Sequence, residues 1–111
     1  MSGECGLADK KCVPCEGGVT ALTEAEATRM LADLAGWEFA KEGKAIIRRF
    51  KFKNFKSAMA FVNKVGEIAE SEGHHPDITF GWGYAEILLQ THAIGGLHEN
   101  DFIVASKVNA L

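Results

Sequence analysis

The stretch from Asn54 to Gly73 limits the possible folds more than any other part of the chain, because it has the pattern of a long amphipathic helix. Its apolar side chains recur at helical spacing, at Phe55, Ala58, Met59, Val62, Val65 and Ala69. Asn54 is a suitable N-cap, and Gly73 is a suitable end. We therefore expect one long helix here, with its apolar stripe facing a core.

Two segments before this helix have the composition of a pair of antiparallel strands. Residues 37–40 form the first, and residues 44–53 form the second after a turn at Glu42 and Gly43. In the second strand Ile46, Phe50 and Phe52 share one face, and Arg49, Lys51 and Lys53 share the other. The apolar face is expected to meet the core and the basic face to be solvated.

A second pair of strands is expected after the helix. One strand has Ile78, Phe80 and Trp82 on one face, and the last strand runs from Tyr84 to His92. Gly81 and Gly83 flank a single tryptophan and indicate a tight turn between the two strands. The four strands thus occur as two consecutive pairs.

Shorter helices are expected at both ends of this arrangement. Thr23 and Glu26 have the spacing of a capping box, which opens a helix that ends by Gly36. A final helix, residues 99–110, follows a Gly-Gly break. The order of elements predicts an α+β fold, in which a four-stranded antiparallel sheet has three helices packed on one face.

Length and charge exclude several classes of protein. The chain has 111 residues and a formal net charge of −3, which argues against a general nucleic-acid or anionic-membrane surface. A basic strip at residues 48–56 is better explained as a solvated sheet face. No apolar run reaches transmembrane length, and the first residues lack the apolar core of a signal peptide. We therefore expect a cytoplasmic protein.

The three cysteines, Cys5, Cys12 and Cys15, all lie near the N-terminus. They do not make a disulfide framework, and a lone C-x-x-C needs a further ligand to bind zinc. We expect a flexible segment, residues 1–19, with incidental thiols, followed by one domain, residues 20–111. Zinc binding by these cysteines is the alternative.

The functional signal is a set of histidines. His74 and His75 stand side by side before Pro76, and His92 ends the last predicted strand. A hairpin centred on Gly83 would place His74 opposite His92, at about 5 Å. Because a slip of register would move this by a residue or two, the prediction is that the two histidines lie near each other. Neighbouring side chains of an extended chain point to opposite sides, so His75 should address a different part of the same site.

Two carboxylates are expected near this cluster. If the long helix persisted to His74, Glu70 would lie on the same face and could orient the imidazole. With His98 as N-cap of the final helix, Asp101 would be its third residue, where the helix dipole favours a carboxylate. That structural role and a catalytic role for Asp101 can both hold.

The residues alone leave three interpretations of the cluster open. Imidazole accepts and donates protons near neutral pH, which favours an acid–base enzyme. Three histidines can also bind zinc, although adjacent histidines seldom supply the ligand geometry. The third interpretation is a surface cluster without function.

The spacing of these motifs resembles the pterin-4a-carbinolamine dehydratase family. The pattern E-x-x-x-H-H-P-D covers residues 70–77, T-H is Thr91 and His92, and G-L-x-x-x-D ends at Asp101. The similarity extends over residues 20–111 and includes the predicted order of elements. Three linked motifs at fixed distances are far more specific than a His-His pair.

The resemblance implies an activity and a set of partners. Members of this family dehydrate 4a-hydroxytetrahydropterin, the spent cofactor of aromatic amino-acid hydroxylases such as phenylalanine hydroxylase. The products are quinonoid dihydropterin and water, and no metal or organic cofactor is required. The resemblance also implies a homodimer or homotetramer.

The resemblance further implies the site residues. The catalytic residues are His74, His75 and His92: we expect His74 and His92 to be the acid–base pair and His75 to orient the pterin. The implied substrate-binding residues are Glu70, Pro76, Asp77, Trp82, Thr91 and Asp101, of which Glu70 and Asp101 would hold imidazoles in place. Trp82 stands where the family often has tyrosine.

Two other functions remain open. Animal members of the family also act as dimerisation cofactors of a homeodomain transcription factor, which would make this a binding protein. A role in molybdopterin metabolism is the other alternative. Nothing in the sequence specifies either partner, and the complete set of histidines favours the enzyme.

Overall fold

The computed structural model describes Cys12 and residues 20–111. The helices are α1 (Glu24–Ala32), α2 (Phe55–Glu72) and α3 (Glu99–Asn109). The strands are β1 (Glu38–Ala40), β2 (Ala45–Lys51), β3 (Asp77–Gly81) and β4 (Tyr84–Leu89). The strands form one antiparallel sheet in the order β1-β2-β4-β3. This architecture confirms the α+β fold that the element order predicts.

The caps that the sequence predicts define the helix boundaries. The Thr23 hydroxyl accepts from the Glu26 N–H at 3.2 Å, and the Glu26 carboxylate accepts from the Thr23 N–H at 2.8 Å. Asn54 Oδ1 accepts from the Ser57 N–H at 2.8 Å at the start of α2. Gly73 ends α2 with φ +66°, the left-handed conformation that glycine adopts without strain.

The core lies between one face of the sheet and the helices. Ile46 of β2 and Ile87 and Leu89 of β4 are fully buried, and they pack with Val65 of α2 and Phe102 of α3. In β4 buried and half-buried residues alternate, as expected for a strand covered on one face. The sheet and the two longer helices are therefore held by one continuous apolar layer.

The turn between β3 and β4 differs from the predicted turn by one residue. Gly81 pairs with Tyr84, so the turn consists of Trp82 and Gly83 and is not centred on Gly83. Gly83 has φ +83°, which makes the two-residue connection possible. A one-residue difference in register changes every cross-strand partner of the hairpin.

The predicted alignment of His74 with His92 across this hairpin is consequently wrong. The ladder begins at Asp77, which pairs with Leu88, so His74 precedes it. Strand β4 ends at Leu89, so His92 follows it. Both histidines belong to connections at the same end of the hairpin, which brings them near each other without strand pairing.

A short loop takes the place of the predicted end of β4. Thr91 and Gly96 form an isolated antiparallel bridge, in which each N–H donates to the other's carbonyl, at 3.0 and 3.4 Å. Between them, His92–Ile94 form a 3₁₀ turn that Gly95 ends with φ +66°. This closed loop places His92 just beyond the end of β4.

The predicted flexible segment, residues 1–19, lies outside the described residues except for Cys12, and Cys5 and Cys15 are not described. Cys12 is half-buried and packs against the core. Among the described residues, no helix is both long enough and apolar enough to cross a membrane.

Candidate functional site

A cavity of about 560 Å³ lies between the end of α2 and the loop that follows β4. Its lining brings together three histidines with side chains from distant parts of the chain: Cys12, Glu72, His74, His75, Gln90 and His92. Thr91 and Asn100 complete its polar surface. The predicted convergence of His74, His75 and His92 is therefore present, although the strand register predicted for it is not.

The central contact of the site joins His74 to Asp101. Nε2 of His74 lies 2.6 Å from Oδ1 of Asp101. The Asp101 side chain is fully buried, and only 11% of the His74 side chain is exposed. An ionised carboxylate only accepts hydrogen bonds, so with Asp101 in that form Nε2 of His74 donates, and Nδ1 is the ring nitrogen left for other contacts.

The other oxygen of Asp101 accepts two hydrogen bonds. Oδ2 accepts from the Thr91 hydroxyl at 2.8 Å and from the His98 N–H at 3.0 Å. A buried carboxylate requires such donors, because burying it without them is very costly. Asp101 therefore has one fixed orientation, and it imposes that orientation on His74.

His98 has the N-cap position that the sequence predicts, with Asp101 as the third residue of α3. Its Nδ1 accepts from the Asn100 N–H at 3.0 Å, so an imidazole takes the role that a hydroxyl or carboxamide more often has. The structural role predicted for Asp101 is thus confirmed, since it belongs to the capping box of α3, and its other oxygen contacts the His74 imidazole.

Glu70 contacts His75, because α2 does not persist to His74 as pairing with that histidine would have required. Its Oε2 lies 2.6 Å from Nε2 of His75, not of His74. The reason is Gly73, whose left-handed conformation ends α2 before the helical spacing can reach His74. The His75 and Glu70 side chains are 61% and 80% exposed, so this pair lies at the open side of the cavity.

His92 and Thr91 are neighbours with opposite environments. Thr91 is buried and holds Asp101, whereas His92 is exposed at the cavity mouth. His92 is therefore free to reach a molecule that enters the cavity. His74 and His92 differ accordingly: the first is fixed from behind, and the second faces solvent.

Of the six predicted substrate-binding residues, Thr91 lines the cavity, and Glu70 and Asp101 reach it only through the histidines they contact. The other three lie away from it. Pro76 and Asp77 lead from His75 into β3, and Asp77 is exposed. Trp82 lies in the turn at the opposite end of β3 and is 72% exposed. Within one chain, the structure does not bring Trp82 to the histidines.

Several cavity residues were not predicted from the sequence. Glu72 Oε1 accepts from the Cys12 N–H at 2.8 Å, and its Oε2 lies 3.5 Å from Nζ of Lys107. The Cys12 thiol donates to the Asn100 carbonyl at 3.7 Å. Burial, followed by the negative charge of Glu72, raises the pKa of the Cys12 thiol to about 12. Cys12 is therefore a neutral, unreactive wall of the cavity.

Gln90 is another cavity residue that was not predicted from the sequence. It follows the last residue of β4 and directly precedes Thr91 and His92. Its position beside the T-H motif was the one available signal. Among the described residues, no three His, Cys, Asp or Glu side chains form a group that could hold a metal ion.

The comparisons with known proteins agree on one family. The model of a family described as pterin 4 alpha carbinolamine dehydratase matches residues 20–111. A protein of Halorhodospira halophila, named "Putative pterin-4-alpha-carbinolamine dehydratase", is 55% identical over 95% of this chain and 96% of its own length. A protein of the same name from Aromatoleum aromaticum is 52% identical over 100% of this chain and 97% of its own length.

Two solved structures share the fold. A transcriptional coactivator/pterin dehydratase from Brucella melitensis is 36% identical, with a TM-score of 0.77 over 82% of this chain and 97% of that chain. A pterin dehydratase-like protein described as a RuBisCO assembly factor in the alpha-carboxysome is 26% identical, with a TM-score of 0.58 over 68% of this chain and 87% of that chain.

Proposed function

The chain belongs to the pterin 4 alpha carbinolamine dehydratase family, and we propose that it dehydrates 4a-hydroxytetrahydropterin to quinonoid dihydropterin and water. One observation carries the proposal. A buried carboxylate, Asp101, holds His74 at 2.6 Å in a cavity that also contains His75 and His92. Such an arrangement suits general acid–base catalysis.

The proposed reaction breaks two bonds on the pterin and forms one. A base takes the proton from N5, a double bond forms between N5 and C4a, and the hydroxyl on C4a leaves as water after an acid protonates it. The proton balance is neutral, because the base gains one proton and the acid loses one. Two imidazoles in different protonation states can therefore complete the reaction at one pH.

We assign the base to His74 and the acid to His92. When Nδ1 of His74 takes the proton, the resulting imidazolium lies 2.6 Å from the Asp101 carboxylate, which stabilises its charge. His92 is exposed at the mouth, where it can regain a proton from solvent after donating one. His75, held by Glu70, orients the pterin at the open side.

The experiment that tests this proposal is turnover of freshly generated 4a-hydroxytetrahydropterin, followed by ultraviolet absorbance. We expect the purified protein to exceed the spontaneous rate, and His92→Ala to reduce kcat by roughly 10²–10⁴-fold, the usual contribution of one acid–base group. Wild-type kinetics at the spontaneous rate would contradict the proposal. The protein would then be a binding or assembly protein, as one structural relative is described to be.

We also propose that the protein self-associates. Phe55, Met59 and Trp82 are exposed large apolar residues, and Phe55 stacks on Phe80 of the edge strand β3 at a ring distance of 5.5 Å. Exposed apolar groups beside an unpaired sheet edge are typical of an interface. Light scattering on the purified protein would distinguish a monomer from a dimer or tetramer.

A further inference from the structure

The side chain of Gln90 has a hydrogen-bonding group that the fold does not satisfy. Its Nε2 is buried and finds no hydrogen-bond partner within the part of the chain that the structure describes. Leaving a buried donor unpaired is costly, and native proteins seldom accept that cost without a reason. Because Gln90 lines the cavity that holds the histidines, a bound molecule is the natural partner.

The backbone around Gln90 is held on both sides. Leu89 before it pairs with Ile46 of β2 and is fully buried. Thr91 after it forms the bridge to Gly96 and holds Asp101 through its hydroxyl. Gln90 therefore lines the cavity from a fixed backbone position, and its buried amide lies just behind the cavity surface, where a small rotation of the side chain would present it to a ligand.

We propose that Gln90 is a substrate-binding and specificity residue whose carboxamide pairs with the lactam of the pterin, formed by the C4 carbonyl and the N3–H. A carboxamide offers one donor and one acceptor side by side, and a lactam offers the complementary pair. Two parallel hydrogen bonds can therefore form. This inference rests on the proposed function, since it assumes that a pterin occupies the cavity.

The position of Gln90 in the chain agrees with the positions of the reacting atoms. In a pterin, C4 is bonded directly to C4a, the atom that loses the hydroxyl. A residue that binds the C4 carbonyl must therefore lie beside the group that acts on C4a. Gln90 and His92 are separated only by Thr91, and both line the same cavity.

The test is the affinity of a stable product analogue, 7,8-dihydrobiopterin, measured by isothermal titration calorimetry on the full chain. Gln90→Met keeps the length of the side chain but removes both hydrogen-bonding groups. We expect the Kd to rise roughly 10–100-fold, the value of one or two hydrogen bonds, while the melting temperature stays the same or rises. The melting temperature should not fall, because the unpaired donor is gone.

Two further comparisons make the test specific. Asn63→Leu makes the equivalent change on an exposed surface of α2, and we expect it to leave the Kd unchanged. The same dihydropterin methylated at N3 should bind more weakly than the parent ligand to the wild type. That penalty should be much smaller in Gln90→Met, where the partner of N3–H is missing.

The outcomes separate this inference from the proposed function. If the wild type binds 7,8-dihydrobiopterin and Gln90→Met binds it equally well, the role of Gln90 is wrong and the dehydratase proposal stands. If the wild type binds no pterin, both are wrong. Should Gln90→Met fail to fold, Gln90→Asn, which shortens the side chain, replaces it. An unchanged Kd for that variant would also overturn the inference.

Discussion

Two imidazole–carboxylate pairs lie side by side in this protein, and they have the same length but not the same environment. His74 with Asp101 and His75 with Glu70 are both 2.6 Å apart. The first pair is 11% and 0% exposed, and the second is 61% and 80% exposed. Water and salt screen the second pair, whereas the first interacts through a medium of low dielectric. Equal distances therefore do not mean that the two pairs contribute equally to stability or to catalysis.

The two carboxylates also differ in what holds them. Asp101 is fixed by Thr91 and by the N-cap backbone of α3, so it can hold His74 in one orientation. Glu70 extends from the exposed surface of α2, and apart from its contact with His75 its side chain is largely open to solvent. We infer that the first pair is part of the reaction, and that the second only biases the orientation of His75.

Asp101→Asn is expected to have the largest effect. An asparagine cannot stabilise a charged His74, and its amide can bind that ring in the wrong tautomer. We expect kcat for 4a-hydroxytetrahydropterin to fall about 10²–10⁴-fold, with a smaller change in KM. Steady-state kinetics measure this change, and circular dichroism serves as a control that the variant is folded. A kcat within threefold of the wild type would remove Asp101 from the mechanism.

Thr91→Val is expected to have an intermediate effect on the buried pair. Valine has nearly the shape of threonine, but it cannot donate to Oδ2 of Asp101. The free energy of unfolding should fall by about 1–3 kcal/mol, because a buried charge loses one of its donors. We expect kcat to fall several-fold, since Asp101 no longer has a single orientation.

Chemical denaturation and the turnover assay measure the two effects of this substitution separately. Thr91→Ser is the matched control, because it restores the hydroxyl, and it should recover most of the activity. If Thr91→Val lost stability but kept full kcat, the orientation of Asp101 would not limit the reaction.

The sequence predicted the framework of the site because that framework depends on local signals. The capping box at Thr23, the Asn54 cap and the Gly73 end of α2 are short patterns with direct physical causes, and all are present. The N-cap position of His98 also followed from spacing alone. These positions determine which elements carry the histidines.

The convergence of the histidines was predicted for a partly wrong reason. An assumed ladder placed His74 opposite His92, whereas the closed loop between Thr91 and Gly96 brings His92 to the cavity. Sequence patterns do not distinguish a strand that continues from one that ends in such a loop. The pairing of Glu70 with His74 depended on α2 persisting past Gly73, and the left-handed conformation of Gly73 ends the helix before that point.

The unpredicted residues Glu72 and Gln90 show a second limit of sequence reasoning. Whether a polar side chain is buried in a cavity depends on tertiary packing, and neither residue belongs to a pattern that reveals it. Glu72 and Glu70 lie on the same helix, yet the Glu72 side chain is 4% exposed and that of Glu70 is 80% exposed. Only the fold distinguishes these two carboxylates.

Glu70→Gln is expected to have the smallest effect, and it tests the comparison most directly. Glutamine keeps the shape of the side chain and removes the charge that faces His75. Because this pair is exposed, we expect kcat to change less than about threefold and KM to rise only modestly. The difference from the wild type should also shrink at high ionic strength, since salt screens exposed charges. Kinetics at low and high salt measure both effects.

A loss of kcat as large as that of Asp101→Asn would show that Glu70 takes part in proton transfer. Burial would then no longer distinguish a pair that takes part in the reaction from one that does not.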